Sequence, residues 1–583
     1  MPAKANDIVP TDDLVNGSSV FVFRGSSKKP QESAGSAHGS RAGFGGARSN
    51  RARISGQIAA SRKKKADANK ARAAQLAKQR ARVRVAKLRQ SNVLAAKGES
   101  QLEVGNTDGA IVSFRESIKL NPKNAEAASG LSEALTAKGI EIAGQSDDEK
   151  GLPFLAEAVK LDPNNAAGYA KIGDIHDSNG RNAEAIANYV KALAIDSSFT
   201  AVYLPLGLAQ TEAKNYVEAE SYLSKAESAG VASSDARMAR ADIFAKQDRF
   251  PEAVAMLDLV IKADPTNAAP VYQKALILGR VGDNKSALAG FKRAVEIDPN
   301  FGPAWFEIGV GAYNIGDYLG ALTAYQNAVR IDPMNYQAHA NLASTYRQLE
   351  RYAEANAAYK AAEPGNTTNP NHYLEWGFCL GKTNEWDKAV ARLLTARSLS
   401  PTAVDNTNLG WAYYNAAKVD QRNGDEAAAK AKFELARTYL DTAVKQDPKL
   451  DAAYMNLGST SNELGDYQGA VDALNTAMTL RPNWVMAMNQ LGTGYRGMNN
   501  LTEAVSIFSR VVSLDGNNVR GLFGLGESQY ASGDKKGAKK TQDRLKKVDP
   551  ELANVLGNVI AGKLINAGAN EIKKKIKIPG IPF

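Results

Sequence analysis

Residues 302–335 read GPAWFEIGVGAYNIGDYLGALTAYQNAVRIDPMN. Trp305, Ile308 and Gly309 recur at helical spacing, which predicts a first helix that buries this stripe. Gly316-Asp317 ends it, because glycine near a C-cap takes up a backbone conformation that other residues avoid. Ala321, Tyr325 and Ala328 then form the inner stripe of a second helix. Asp332-Pro333 stops that helix, since the residue before proline is pushed out of the α region. The stretch is one helical hairpin, with small residues (Gly309, Ala321) where the helices cross and large ones beside them.

The same punctuation recurs outward in both directions. Asp264-Pro265, Asp298-Pro299 and Asp332-Pro333 follow one another at a constant interval, the length of the stretch 302–335 itself. In phase before them stand Gly230, Asp196-Ser197 and Asp162-Pro163; after them come Asn366 and Ser400-Pro401. A second run holds Asp447-Pro448, Arg481-Pro482, Asp515-Gly516 and Asp549-Pro550, and Asn121-Pro122 opens the array. The unit 451–484 repeats the chemistry with Tyr454, Leu457, Gly458, Gly465-Asp466-Tyr467, Ala470, Leu474, Ala477 and Pro482. This gives 13 units over residues 91–552. Two intervals exceed the period, and the insertions they mark, in 125–165 and 404–450, are expected to lengthen helices. A lone hairpin cannot bury its apolar face, so the units must stack. Residues 553–575 are read as a capping helix before a basic tail that ends at 583. Leu552, Val555, Val559 and Ile560 lie on one face of that helix, and Asn554, Asn558, Asn566 and Asn570 on a polar stripe.

Period and pattern (Trp, Leu-Gly, Tyr, then Ala, Phe, Ala, Pro within each interval) resemble the tetratricopeptide repeat. The resemblance implies an all-α fold: a right-handed α-α solenoid of about 13 helical hairpins whose first helices line a concave groove. It implies a scaffold or adaptor that binds other proteins through extended peptides. One inner position, just before the Leu-Gly pair, reads Gln273, Glu307, Asn341, Glu375, Asn408, Asn456 and Gln490. This resembles the asparagine ladder of long arrays of the family, whose amides offer a donor and an acceptor to each peptide group; the alternative is a row of ordinary solvated residues. Glu307 and Glu375 depart from an all-amide ladder and favour a donor or basic group. Tyr272, Phe306, Tyr313, Phe378, Trp411, Tyr414 and Phe523 are candidate groove aromatics, although most aromatics in such arrays are core. The family's carboxylate clamp needs a cation that is missing here: after Asn341 the next repeat offers Asn371 and Glu375, and after Asn456 it offers Met486 and Gln490.

Charge is distributed unevenly. Residues 1–90 carry 20 Lys/Arg against five acids, a net +15, whereas the whole chain is +11. The remainder is therefore slightly acidic, and the basicity belongs to an N-terminal arm. Residues 1–56, rich in Gly, Ser and Ala, are expected to be disordered. Within them Val20-Phe21-Val22-Phe23 is a short strand-prone island, a candidate docking peptide. Residues 57–90 read as a basic helix whose cations include Arg62, Lys63, Lys64, Lys65, Arg80, Arg82 and Arg84. Its few apolar residues fit an acidic protein or a nucleic-acid backbone better than membrane insertion. No aromatic interleaves the cations, so base stacking is not indicated.

The composition also excludes much. One cysteine, Cys379, rules out an intramolecular disulfide. No apolar run is long enough for a transmembrane helix, and Asp7, Asp12 and Asp13 break any secretory leader. The expectation is a cytoplasmic protein, or a nuclear one if the source is eukaryotic, since Arg62–Lys65 fits a nuclear signal. His38, His176, His339 and His372 form no HExxH, and neither a CxxC nor a phosphate-binding loop occurs. No enzyme activity, cofactor or metal site is expected. Two further readings stand beside the adaptor: a nucleic-acid-associated platform tethered by the arm, and a bacterial envelope assembly factor. Self-association is compatible with all three.

Overall fold

The short polar segments between apolar stripes set the helix boundaries. In a computed structural model, which describes residues 59–144 and 148–562, Asp332 takes an extended conformation and ends one helix. Its Oδ1 accepts from the Met334 amide at 3.0 Å, and the Asn335 side chain accepts from the Ala338 amide at 2.9 Å, capping the next helix. Inside the hairpin Gly316 sits at φ +80°, and the adjacent Asp317 caps the second helix through the Gly320 amide at 2.9 Å. Gly465-Asp466 repeats this device, with φ +79° and a cap to the Gly469 amide at 3.1 Å.

The described residues are helical with no strand among them. They form two units, 59–299 and 300–562. The first holds α1 (Ala59–Glu103), α2 (Thr107–Leu120), α3 (Ala125–Ala143), α4 (Leu152–Leu161), α5 (Ala166–Ser178), α6 (Asn182–Ile195), α7 (Tyr203–Glu212), α8 (Tyr216–Ser228), α9 (Ser233–Lys246), α10 (Phe250–Ala263), α11 (Ala268–Arg280) and α12 (Asn284–Ile297). The second holds α13 (Gly302–Asn314), α14 (Tyr318–Ile331), α15 (Tyr336–Gln348), α16 (Tyr352–Ala362), α17 (Pro370–Lys382), α18 (Trp386–Leu399), α19 (Ala403–Asn423), α20 (Glu426–Gln446), α21 (Asp451–Leu464), α22 (Tyr467–Leu480), α23 (Val485–Gly497), α24 (Leu501–Leu514), α25 (Val519–Ala531), α26 (Lys535–Val548) and α27 (Pro550–Ile560). Each odd helix up to α25 pairs antiparallel with the even helix after it, giving 13 hairpins.

The structure adds detail at three of the boundaries read from the sequence. No break separates the described part of the basic segment, 59–90, from the array, because α1 is one helix of 45 residues running through both. The insertion in 125–165 lengthens α3 to 19 residues and adds a 3-10 turn at Asp148–Gly151. The insertion in 404–450 stretches α19 and α20 to 21 residues each. The terminal helix α27 ends at Ile560 and buries Leu552, Ala553 and Leu556 on the last hairpin. Asn566 and Asn570, and the arm residues 1–58, lie outside the described residues.

Hairpins close through a small residue on the first helix facing a large one on the second. A Cβ added to Gly309 would meet the Tyr325 ring at 2.6 Å, and one added to Gly458 would meet Leu474 Cγ at 2.4 Å. Tyr325 and Leu474 are accordingly 2% and 0% exposed. Within each unit, most successive odd helices also touch one another (α1 with α3, α3 with α5 and α7 with α9; α13 with α15, α15 with α17, and each odd helix from α19 to α25 with the next), whereas successive even helices have no comparable contact. The odd helices therefore lie on the inside of the curve.

The crossing predicts opposite signs at two classes of glycine. Gly309→Val and Gly458→Val should each destabilise by about 1–3 kcal/mol through overpacking. At Gly279 an added Cβ would meet only Ala287 Cβ at 3.7 Å, so Gly279→Ala should stabilise by about 0.5–1 kcal/mol through helix propensity. Urea unfolding midpoints of the three variants check both.

Candidate functional site

The inner helices of residues 300–562 carry the row singled out in the sequence, but they do not present it uniformly. Glu307 on α13 is half-buried, and desolvation pushes its carboxyl above the usual range. Asn341 on α15 is half-buried too; it donates to the Tyr325 hydroxyl at 3.3 Å and accepts from Gln337 at 3.1 Å. Glu375 on α17 accepts from the Tyr359 hydroxyl at 2.7 Å and from Ser344 at 3.1 Å, with Arg347 Nε 3.8 Å away. Burial by itself would lower the Arg347 pKa, but Glu375, Tyr359, Tyr313 and Cys379 together outweigh it and raise the pKa, which keeps the guanidinium charged. The basic partner expected for Glu375 is thus supplied from within the chain. Gln490 on α23 is half-buried, its Oε1 accepting from Asn462 at 3.2 Å. Gln273 is exposed on α11, in the other unit.

Two members of the row do not face a groove. Asn408 and Asn456 are both 0% exposed. From α19 onward successive inner helices meet more extensively than α13, α15 and α17 do, and polar residues along α19 and α21 are closed off from solvent. Asn406, Thr407, Asn415 and Lys418 on α19, and Ser459, Thr460 and Ser461 on α21, are buried with them. Lys418 Nζ reaches Glu463 on α21 at 2.9 Å. Arg520 on α25 lies in the field of Tyr414 and Glu463, and burial lowers its pKa. Arg496 on α23 pairs with Glu527 on α25. Ion pairs therefore stitch α15 to α17, α19 to α21 and α23 to α25. Sequence reading missed them; the hint was a basic residue near the end of one first helix and an acid in the next.

The candidate aromatics divide in the same way. Tyr272, Phe306 and Tyr313 are half-buried. The Tyr272 ring centroid is 5.6 Å from Phe291 and that of Phe306 is 5.9 Å from Tyr325. The Tyr313 hydroxyl accepts from Gln348 at 3.3 Å. Phe523 is half-buried against the core at the C-terminal end. Phe378, Trp411 and Tyr414 are 5%, 0% and 1% exposed and belong to the core instead. Trp411 stacks on Phe378 at 6.3 Å and meets Trp386 edge-on at 5.1 Å.

On the arm, Arg80, Arg82 and Arg84 are exposed on α1. Arg62, Lys63, Lys64 and Lys65 belong to the same helix, their side chains lying outside the described ones. Cys379 is buried, and burial raises its thiol pKa, which keeps it protonated and unreactive. Among the described residues no group of three His, Cys, Asp or Glu side chains could hold a metal. Nor is any described helix long and apolar enough to cross a membrane.

Family models described as tetratricopeptide repeat match residues 166–199, 204–268, 306–370 and 422–483. The matched stretches are tetratricopeptide repeats. The chain's hairpins have the order and capping that the resemblance implied. Among curated relatives, the BBSome complex member bbs-4 of Caenorhabditis elegans is 22% identical over 34% of this chain and 41% of its own length. The probable UDP-N-acetylglucosamine–peptide N-acetylglucosaminyltransferase SPINDLY of Arabidopsis thaliana is 32% identical over 18% of this chain and 11% of its own. Among solved structures, the APC/C hetero-tetramer Cut9–Hcn1 aligns with 81% of this chain and 96% of its own at 14% identity, TM-score 0.36. The matches thus span well under two thirds of these two curated relatives. Tetratricopeptide proteins generally act as interaction scaffolds without catalysis.

Two outcomes follow from the buried groups. His372 is 4% exposed among the rings of Tyr359, Tyr373 and Trp376, and burial lowers its pKa from 6.5 to about 4. Between those values the unfolded chain binds a proton that the native one does not, so stability is full above the upper value and falls on acidification. The loss from pH 7 to 5 should reach about 2 kcal/mol, and His372→Phe should remove most of it in urea melts at the two pH values. Glu463→Leu should cost about 3 kcal/mol by removing the carboxylate beside Lys418, with Lys418→Met in the same chain recovering part of it, measured as a double-mutant cycle.

Proposed function

We infer that the chain is a scaffold that binds an extended segment of another protein along the inner helices of residues 300–562, while the basic arm makes a second, electrostatic contact. The observation that carries this reading is the half-buried, polar inner row of Glu307, Asn341 and Gln490, on first helices that lie inside the curve. Amide and carboxyl groups at one position per repeat suit the regular N–H and C=O groups of an extended chain. Phe306 and Tyr313 stand on the same helix as Glu307 and offer apolar surface beside it. Asn408 and Asn456 support the inner layer from within. The grip is on the backbone and discriminates little by sequence.

A second reading, a platform tethered to nucleic acid by the arm, draws on the exposed Arg80, Arg82 and Arg84. It predicts nucleic acid that co-purifies with the full chain and affinity that falls steeply with salt.

The test is affinity capture from nuclease-treated lysate with the full chain and with the triple variant Glu307→Ala, Asn341→Ala, Gln490→Ala. A partner held by the first should bind the second roughly 10- to 100-fold more weakly, at about 1 kcal/mol per lost contact. That partner's affinity should change little with salt. Equal capture by both would overturn the groove reading.

A further inference from the structure

The stripe of α1 that packs on α2 does not stop where α2 stops. Ser91 and Ala95 are buried in it, and Gly98 lies so close to the Phe114 ring that an added Cβ would sit 2.8 Å away. At about 100° per residue the stripe runs on toward the N-terminus through Lys87, Arg84 and Arg80. Leu88 flanks that line on one side, and Val83 and Leu76 on the other. These three apolar side chains are 37%, 51% and 48% exposed. Together with the turn after α2, chiefly Leu120, Pro122 and Lys123, they line one groove. It follows α1 for about 20 Å.

The chemistry of the groove selects its occupant. Its charged lining residues are all cations, and no carboxylate lines it. The chain's own outlying segments do not complement it: residues 1–58 hold eight Lys/Arg against four acids, and residues 563–583 five against one. A second copy's arm brings the same cations. The cations also run down the middle of the apolar stripe. A helix that lies in a membrane surface keeps its apolar face clear of charge. A nucleic-acid backbone has no use for the flanking leucines and valine.

We propose that this groove docks an acidic amphipathic helix of a partner protein. Its carboxylates lie over Arg80, Arg84 and Lys87, and its apolar residues lie on Leu76, Val83 and Leu88. The proposal rests on the reading of the arm as a second contact and specifies the chemistry of that contact. The docked helix continues, end to end, the packing that α2 makes on α1.

Fluorescence anisotropy with the full chain tests it, using a synthetic helical peptide with a leucine stripe on a glutamate background and a scrambled peptide of the same composition. The striped peptide should bind more tightly. The double variant Leu76→Gln, Val83→Gln, at exposed positions, should weaken the striped peptide at least about tenfold and leave the scrambled one unchanged. Arg80→Glu, Arg84→Glu should weaken both. Equal binding of the two peptides to the unaltered chain would overturn docking and leave a purely electrostatic arm. No binding of either would overturn both readings. Insensitivity of the striped peptide to Leu76→Gln, Val83→Gln would overturn docking in this groove. Tighter binding of a DNA duplex, or of phosphatidylserine-containing vesicles, than of the striped peptide would overturn it in favour of those ligands.

Discussion

The close approach of the two helices in each hairpin is the contact on which the rest of the molecule depends. Gly173 lies under Tyr189, Gly309 under Tyr325 and Gly492 under Phe508, with the same sequence separation in every pair. A missing side chain on one helix makes room for a large one on the other, so the pair is brought near and the large group is removed from water. That contact fixes the angle within the hairpin. The next hairpin must then dock on a surface of fixed shape, and short polar connectors, many of them with aspartate and asparagine caps, carry the chain to it.

Repetition of this geometry has different consequences at different places. Along α13, α15 and α17 the first helices meet lightly, and polar groups such as Glu307 and Asn341 remain half open to water. From α19 to α25 they meet more extensively, and Asn408 and Asn456 are closed in, while Gln490 on α23 stays half open. A buried polar group must find a partner or bear a desolvation cost. Accordingly Lys418 meets Glu463 and Arg496 meets Glu527 across successive inner helices. One residue pattern thus supplies an accessible surface in one stretch and an internal support in the next.

At the N-terminal end of the array the basic arm is not an appendage. Because α1 is a single helix of 45 residues, its outer part inherits a rigid direction and a defined face from the part that packs on α2. The fold is therefore what turns a run of alanine, lysine and arginine into a shaped groove with Leu120 and Pro122 at its edge.

The division between what could be read early and what could not follows from the range of the forces involved. Hairpin order, the breaks at Gly316-Asp317 and Asp332-Pro333, the glycines at the crossings and the lengthened helices near 404–450 are encoded by residues within one period of each other. Local propensity and side-chain spacing decide them, and the sequence by itself determined these. It also determined the type of repeat, because that pattern recurs throughout the array. Which members of a repeating row meet solvent depends on how the small angles between hairpins accumulate. Asn341 and Asn456 occupy the same position of their repeats, yet one is half open and the other is shut in. So also Tyr313 stays half-buried while Trp411 and Tyr414 become core. Only the tertiary structure decided these differences, since burial at the inner face is set by packing between helices in successive repeats, for which no short stretch of sequence carries a signature.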